Sequence, residues 1–236
     1  MTSVTWQYGD AWEKFPIEKD WAIGENRFRV GDIMNEEDFI WATSQGPDYV
    51  YVDPPWNQSN IGSFYTKAGK QKQGPKFHGF INRLIQFLKC VKYDCFVEMG
   101  SQNIDEFTAL SESAGFTIAN IWETTYYRTR PARLVQMSLS QPTVEGLELT
   151  GVWDKYIPWQ VCEKLPANSL VMDVCTGKGL TALASVSAGH RFAGLELNPR
   201  RLAHAVQRVD EIIRTGKSKE ERKHGIKQGK HSNGLE

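Results

Sequence analysis

The tetrapeptide Asp53-Pro54-Pro55-Trp56 contains residue types that could do chemistry on an aromatic amine. Proline has no amide donor and fixes the backbone, so the carbonyl groups of Asp53 and Pro54 are left without local partners. A carboxylate and a carbonyl oxygen can together accept both hydrogens of one exocyclic amino group. When both amino hydrogens are held in hydrogen bonds in this way, the nitrogen lone pair turns out of conjugation with the ring and toward an electrophile. Trp56 offers a flat face for stacking a base, although a proline-rich turn beside a buried Trp is the alternative interpretation.

A second candidate site runs from Asp173 to Thr181, where Gly177 and Gly179 lie between a predicted strand and a predicted helix. Glycines let the backbone approach a ligand closely, and the helix N-terminus offers free N–H groups. Glu196 follows about twenty residues later at the end of the next strand, where a carboxylate can accept both hydroxyls of a ribose. The sequence therefore predicts a nucleoside-cofactor site. A tight turn beside a surface Glu is the alternative.

Basic residues are concentrated after the proline motif, although the whole chain is neutral, with 28 Lys or Arg and 28 Asp or Glu. No acidic residue occurs from Pro54 to Tyr93, and none occurs from Thr124 to Val144. Such segments place positive potential beside the proline motif, as phosphate binding requires. Two solvated loops are the alternative interpretation. The predicted nucleic-acid contacts are Lys67, Lys70, Lys72, Lys76, Arg128, Arg130 and Arg133.

The elements that must position these residues alternate between strands and helices. Apolar patterning predicts strands at 49–52, 95–97, 169–174 and 191–197, and a hairpin with arms at 116–122 and 134–139. Helices are predicted at 33–44, with Asp32 as N-cap, and at 77–88, 105–114, 159–165, 180–188 and 199–213. Segment 57–76 is rich in Gly, Lys, Gln and Ser, which predicts a long mobile loop.

Length and composition favour one medium α/β domain over two independent folds, because the chain has 236 residues and is 40% hydrophobic. No apolar run is long enough to span a membrane, and no secretory signal is visible, so we expect a cytoplasmic protein without membrane association. Four cysteines without a CxxC pair and five scattered histidines indicate neither a disulfide framework nor a metal site. We predict a single domain at 1–213, with substrate-facing insertions at 57–76 and 122–139, followed by a basic flexible tail at 214–236.

Together these motifs resemble the beta-class, permuted family of S-adenosylmethionine (SAM)-dependent DNA adenine-N6 amino-methyltransferases. Asp53-Pro54-Pro55-Trp56 is similar in all four positions to the family's catalytic motif Asp-Pro-Pro-Tyr/Phe/Trp. Segment 173–181 resembles the family's cofactor loop, Asp-Pro-Phe-x-Gly-Ser-Gly-Thr-Thr. Segment 193–199 resembles a second cofactor motif of the family, and segment 31–33 resembles an element that contacts the adenine of the cofactor. The catalytic motif precedes the cofactor loop, which is the permuted order of this class.

The chain departs from the family pattern in three places. Val174-Cys175 replaces the usual Pro-Phe, so the packing over the cofactor must differ. The family's His-Pro-Thr-Gln-Lys-Pro element is absent, and residues 153–159 stand in its place, with Lys155 as a candidate for holding the methionine carboxylate. No separate target-recognition domain is visible, which suggests a short or loosely specified target.

The resemblance implies a Rossmann-like α/β methyltransferase fold, with a mostly parallel sheet, helices on both faces and neighbouring strands ending at Asp53 and Asp173. It implies methyl transfer from SAM to adenine N6 of a flipped base in DNA, with Asp53, Pro54, Pro55 and Trp56 as catalytic residues and no metal. The implied cofactor-binding residues are Asp32, Asp173, Cys175, Thr176, Gly177, Gly179, Glu196 and Asn198.

Several alternatives stay open beside this interpretation. The same pair of acceptors would serve RNA adenine-N6 or DNA cytosine-N4 methylation. A catalytically silent nucleic-acid-binding paralogue would differ from an enzyme in failing to bind SAM or transfer its methyl group. A dinucleotide oxidoreductase would require a Gly-x-Gly-x-x-Gly motif near the N-terminus and would leave the proline motif unexplained. We also leave homodimer formation open.

Overall fold

The computed structural model describes residues 10–70 and 74–216 of the chain. Lys72 and the tail from residue 217 onward lie outside the described residues. The described strands are β1 (Asp20–Ile23), β2 (Asn26–Val30), β3 (Tyr49–Val52), β4 (Cys95–Gly100), β5 (Thr117–Tyr126), β6 (Arg130–Ser138), β7 (Leu170–Asp173) and β8 (Arg191–Glu196). The described helices are α1 (Ala11–Lys14), α2 (Glu36–Ser44), α3 (Gln58–Lys67), α4 (Phe77–Leu88), α5 (Ile104–Ser113), α6 (Ile157–Cys162), α7 (Leu180–Ser187) and α8 (Pro199–Thr215), with a 3₁₀ helix at Asp154–Tyr156.

The described strands form one sheet in the order β1-β2-β8-β7-β3-β4-β6-β5. The five central strands run parallel to one another, in the order β2, β8, β7, β3 and β4. At the edges, β1 is antiparallel to β2, and β6 is antiparallel to both β4 and β5. This sheet confirms the predicted Rossmann-like α/β fold. As predicted, β3 and β7 are neighbours, although they lie far apart in the chain.

The central strand β3 shows why helices cover both faces of the sheet, because all four of its residues are buried and successive side chains point to opposite faces. Val50 and Val52 pack in a core cluster with residues of α2, α4 and α5. Tyr49 and Tyr51 pack in another cluster with residues of α6. A third cluster joins α7 and α8 to β2 and β8. Burial on both faces explains the uninterrupted apolar run in the sequence.

Segment 57–76 is largely helical, so the prediction of a long mobile loop is wrong for α3. The side chain of Asn57 accepts the N–H of Asn60 at 2.9 Å and caps the helix. Ile61 is fully buried in the same core cluster as α4. Gly62 and the polar neighbours of Ile61 lower intrinsic helix propensity, but the burial of one apolar face overrides that preference.

Two further predictions need correction. α2 begins at Glu36, and its N-cap is Asn35 rather than Asp32, because the Asn35 side chain accepts the N–H groups of Glu37 and Asp38. The predicted hairpin is confirmed, but segment 122–139 is not an insertion, because β6 pairs with β4 and completes the sheet. Only residues 127–129 lie between β5 and β6, the two strands of the hairpin. In the described part of the chain, no helix is long and apolar enough to cross a membrane.

Candidate active site

A cavity of about 420 Å³ lies at the carboxyl ends of the parallel strands. Its size is within the range of small-molecule sites, about 300–1,000 Å³. Asp53 follows β3, Asp173 ends β7 and Glu196 ends β8, and all three line this cavity. In an open α/β sheet, the carboxyl ends of the strands are where ligands bind. The pairing of β3 with β7 therefore brings the proline motif and the glycine turn into one cavity.

Asp53 is the residue of the proline motif that faces the cavity with a titratable group. Its Oδ1 accepts the indole N–H of Trp56 at 3.0 Å. Burial raises the pKa of Asp53 to about 7, with a further contribution from the Asp154 carboxylate, while the Trp56 hydrogen bond and the positive charge of Arg201 oppose the rise. Near neutral pH, this carboxyl therefore exists in both protonation states, one of which is an acceptor only.

Trp56 is held rigidly beside Asp53, although it does not line the cavity. Its ring lies over Gly100 of β4, where an added Cβ would come within 2.7 Å of the indole. The Asn103 side chain donates to the Trp56 carbonyl at 2.5 Å, and Tyr126 meets the indole edge-to-face with ring centroids 4.7 Å apart. Tyr126 lines the cavity, so this hairpin residue presents the aromatic face that the sequence predicted for Trp56. Pro55 lines the cavity as well.

The start of the glycine turn is organised by Asp173, which is buried at the end of β7. Its carboxylate accepts the Cys175 N–H at 2.8 Å and the Thr181 hydroxyl at 3.0 Å. Burial raises the pKa of Asp173 to about 7. The Thr176 hydroxyl donates to the Asp173 carbonyl at 2.9 Å, and both Cys175 and Thr176 line the cavity. Burial also raises the pKa of the Cys175 thiol, so the thiol stays protonated.

The two glycines of the turn have different roles. Gly177 lines the cavity with φ +56°, a conformation that glycine adopts without strain. Gly179, with φ +80°, is the N-cap of α7, and an added Cβ would come within 2.5 Å of the Ala205 side chain on α8. Gly179 therefore lets α7 and α8 pack closely. Of the two glycines, Gly177 is the one that presents its backbone to the cavity.

Glu196 is buried at the end of β8 and is fixed by two backbone donors. One carboxylate oxygen accepts the Gly177 N–H at 2.7 Å, and the other accepts the Asn198 N–H at 2.8 Å. Each carboxylate oxygen has a second lone pair, so both oxygens can still accept a hydroxyl from a ligand in the cavity. Glu196 thus both holds the glycine turn and offers two acceptors.

The other two predicted cofactor residues, Asp32 and Asn198, differ in their relation to the cavity. Asp32 lines the cavity, where it accepts the Tyr65 hydroxyl at 2.6 Å and the Met34 N–H at 3.0 Å. Asn198 does not line it. Its side chain caps α8 by accepting the Arg200 N–H at 3.0 Å and donates to the Lys67 carbonyl at 2.9 Å, which ties α8 to α3.

Several lining residues were not predicted from the sequence, and those with titratable side chains include Tyr65, Glu98, Asp154, Lys178 and Arg201. Glu98 carried a signal, because it is the one acid in an otherwise apolar strand. Arg201 lies in the first turn of α8, and its guanidinium lies 5.3 Å from the centre of the Phe64 ring. The candidate Lys155 is not among the lining residues, and its ammonium group instead lies over the rings of Trp153 and Tyr156, at 5.7 and 5.9 Å.

The predicted nucleic-acid contacts fall into distinct environments. Lys76, before α4, and Arg128 and Arg130 of the hairpin are exposed and do not line the cavity. Lys70 pairs with Asp32 at 3.6 Å, and Arg133 pairs with Glu123 at 2.8 Å, so these two charges are already balanced. Three basic residues line the cavity itself: Lys67, Lys178 and Arg201.

No family model and no curated protein matches this chain. Solved structures do match. M1.HpyAVI in complex with SAM has a TM-score of 0.61 at 11% identity, covering 78% of this chain and 98% of that chain. A Thermus thermophilus protein provisionally assigned as a DNA modification methylase has a TM-score of 0.57 at 16% identity, covering 82% and 97%. The cytosine-N4-specific PvuII DNA methyltransferase has a TM-score of 0.55 at 11% identity, covering 84% and 95%. At these identities the likeness shows that the chain shares their fold.

Proposed function

We propose that this protein is a SAM-dependent DNA methyltransferase that methylates the exocyclic N6 of adenine. The observation that carries the proposal is the shared cavity: the pairing of β3 with β7 places Asp53 and the 173–177 turn side by side. Methyl transfer needs this juxtaposition, because the acceptor nitrogen and the methyl donor must be held in line at near-contact distance. Two of the fold neighbours, M1.HpyAVI and the Thermus thermophilus protein, have been solved with SAM, which supports the choice of cofactor.

The residues around the turn fit SAM. Glu196 has lone pairs left for the two ribose hydroxyls, and Gly177 leaves room for close approach of the ligand to the backbone. Asp32 and Tyr65 line the wall near this end, where the adenine of the cofactor would lie. Arg201 is the candidate for an anionic group of the ligand, because its guanidinium borders the cavity. When bound, SAM supplies an electrophilic methyl group.

Asp53 and the backbone carbonyl of Pro54 would accept the two hydrogens of the target amino group. This geometry points the nitrogen lone pair at the methyl group, and alignment supplies much of the rate. After methylation the nitrogen is acidic enough to lose its proton to the Asp53 carboxylate or to water. A base inside a duplex cannot reach the cavity, so the target base must be flipped out. Tyr126 lines the cavity and offers an aromatic face to the base, while Trp56 supports Tyr126 through an edge-to-face contact.

Cytosine-N4 methylation is the second candidate. It is favoured by one specific observation, because a cytosine-N4-specific methyltransferase is among the fold neighbours at a TM-score of 0.55. Cytosine and adenine both carry an exocyclic amino group beside an acceptor ring nitrogen. The two acceptors of the proline motif would therefore orient either base.

The test is transfer of a labelled methyl group from SAM to single-stranded and duplex DNA and RNA. We expect label in DNA, and we expect the Asp53→Ala variant to bind SAM in calorimetry while incorporating none. Label in RNA alone would redirect the proposal to RNA methylation. Binding of SAM without transfer to any polymer would make the protein a silent paralogue, and failure to bind SAM would refute the cofactor assignment.

A further inference from the structure

Glu98 carries a buried carboxyl group that has no role in the reaction described above. It lies on β4 directly beside Asp53, because Val52 and Val97 are register partners of β3 and β4. The side chain is only 2% exposed, and it lines the cavity. Its Oε2 accepts the Tyr51 hydroxyl at 3.1 Å, whereas its Oε1 is buried and has no hydrogen-bond partner in the described part of the chain. A buried polar atom without a partner is costly, which indicates a ligand group as the missing partner.

The surroundings of Glu98 determine its protonation state. The groups that face it are the carboxyls of Asp53 and Asp154 and the hydroxyls of Tyr51 and Tyr126. Among the described residues, no Lys, Arg or His forms an ion pair with Glu98. Burial, with the two neighbouring carboxylates, raises the pKa of Glu98 well above its usual range. This shift favours the protonated form of Glu98.

A protonated carboxyl has one donor oxygen and one acceptor oxygen. Since Oε2 already accepts from Tyr51, the proton belongs on Oε1, the atom without a partner. The cavity thus contains a neutral donor on Glu98 next to an acceptor on Asp53. This pair is complementary to a ring nitrogen that lies beside an amino group.

We propose that Glu98 donates a hydrogen bond from Oε1 to the ring nitrogen adjacent to the target amino group, N1 of adenine, and so selects bases with an acceptor nitrogen at that position over bases without one. The inference rests on the proposed function and names a specificity-determining residue for it. A base with a C–H or N–H at that ring position would leave the buried donor unpaired or bring two donors together. Sites that hydrogen-bond a substrate strongly reject analogues that lack the bonding group.

The experiment compares DNA oligonucleotides that carry adenine or 1-deazaadenine as the only target, because 1-deazaadenine keeps the amino group and replaces N1 with C–H. The wild-type protein should prefer adenine by about 10- to 100-fold in kcat/KM, as expected for one buried hydrogen bond. Glu98→Gln keeps a donor and an acceptor in nearly the same shape and should retain that preference. Glu98→Met removes both and should treat the two bases alike. Glu112→Met, which removes an exposed carboxylate on α5, is the control and should behave as the wild type.

The outcomes separate this inference from the proposed function. No transfer by the wild type to adenine would refute the proposed function and this inference with it. Equal wild-type rates on adenine and 1-deazaadenine would overturn the role of Glu98 alone, and so would a Glu98→Gln variant without any preference. Anisotropy titrations of the two oligonucleotides, with S-adenosylhomocysteine present, give a binding readout that should follow the same order.

Discussion

At the scale of single residues, the proposed reaction needs two adjacent carboxyls, Asp53 and Glu98, to take different protonation states. Asp53 must be an acceptor, and its pKa of about 7 allows this at neutral pH because Trp56 and Arg201 favour the charged form. Burial and the neighbouring carboxylates raise the pKa of Glu98 well above its usual range, which favours its protonated form. Neighbouring groups whose pKa values are pushed apart can divide the donor and acceptor roles between them.

Methyl transfer should therefore depend on pH through Asp53. Below pH 7 the carboxyl is protonated and loses an acceptor, so kcat/KM should rise with pH and level off above about pH 7. The measurement is a kcat/KM profile from pH 5.5 to 9. Asp53→Asn, which keeps one acceptor oxygen but cannot titrate, should show lower activity without the rise near pH 7. A wild-type profile that is flat across this range would contradict the assignment.

Asp53 and Asp173 should make the free energy of unfolding decrease as pH rises. Asp53 and Asp173 each have a folded-state pKa of about 7, above the value of 3.8 for an unperturbed Asp. The folded state therefore binds more protons between these values, and the free energy of unfolding falls as pH rises through about 7. Urea unfolding at pH 5 and pH 8 should show this loss, and Asp173→Asn should reduce it. Equal loss in that variant would show that Asp173 is not responsible.

At the scale of elements, the strongest local signals in the sequence were sufficient to predict β3 and the glycine turn before α7. The β-branched and aromatic run of β3 followed by two prolines predicted both a strand and the place where the motif leaves it. The glycine turn before α7 was equally clear. α3 was missed because Gly62 and its polar neighbours are poor helix formers, and only the buried contacts of Ile61 explain the helix. Glu98 and Arg201 were missed because their place in the cavity depends on how β4 and α8 pack, which local sequence does not show.

Ile61→Ala tests whether α3 is a packed helix in solution. Ile61 is fully buried against the core, so its truncation should lower the free energy of unfolding by about 2–5 kcal/mol. Ser63→Ala changes an exposed residue of the same helix and should have little effect. Urea denaturation of both variants supplies the comparison. A negligible effect of Ile61→Ala would restore the mobile loop predicted from composition.

At the scale of the whole molecule, a neutral chain presents separated charges around one cavity. Acids outnumber bases in its lining, while further exposed cations lie on the hairpin and before α4. The lining acids are Asp32, Asp53, Glu98, Asp154, Asp173 and Glu196, and the lining bases are Lys67, Lys178 and Arg201. This separation suits an enzyme that binds a cationic methyl donor within and a phosphate backbone outside.

Nucleic-acid binding should follow the exposed cations and not those that already have acidic partners. Changing Lys76, Arg128 and Arg130 to Gln should weaken DNA binding and make the slope of log affinity against log salt shallower by about two to three units. The matched variant, Lys70→Gln with Arg133→Gln, removes charges already paired with Asp32 and Glu123, and its slope should change less. Anisotropy titrations at several salt concentrations give the slopes. Equal slopes for all three proteins would leave these residues as a solvated surface.

We propose that Asp53 directs a methyl group from SAM onto adenine N6. The most direct measurement is mass spectrometry of nucleosides from DNA treated with deuterium-methyl SAM and either the wild type or Asp53→Ala. We predict labelled N6-methyladenine with the wild type and none with the variant, although the variant still binds SAM. Labelled N4-methylcytosine in its place, or labelled N6-methyladenine formed equally well by Asp53→Ala, would contradict this account.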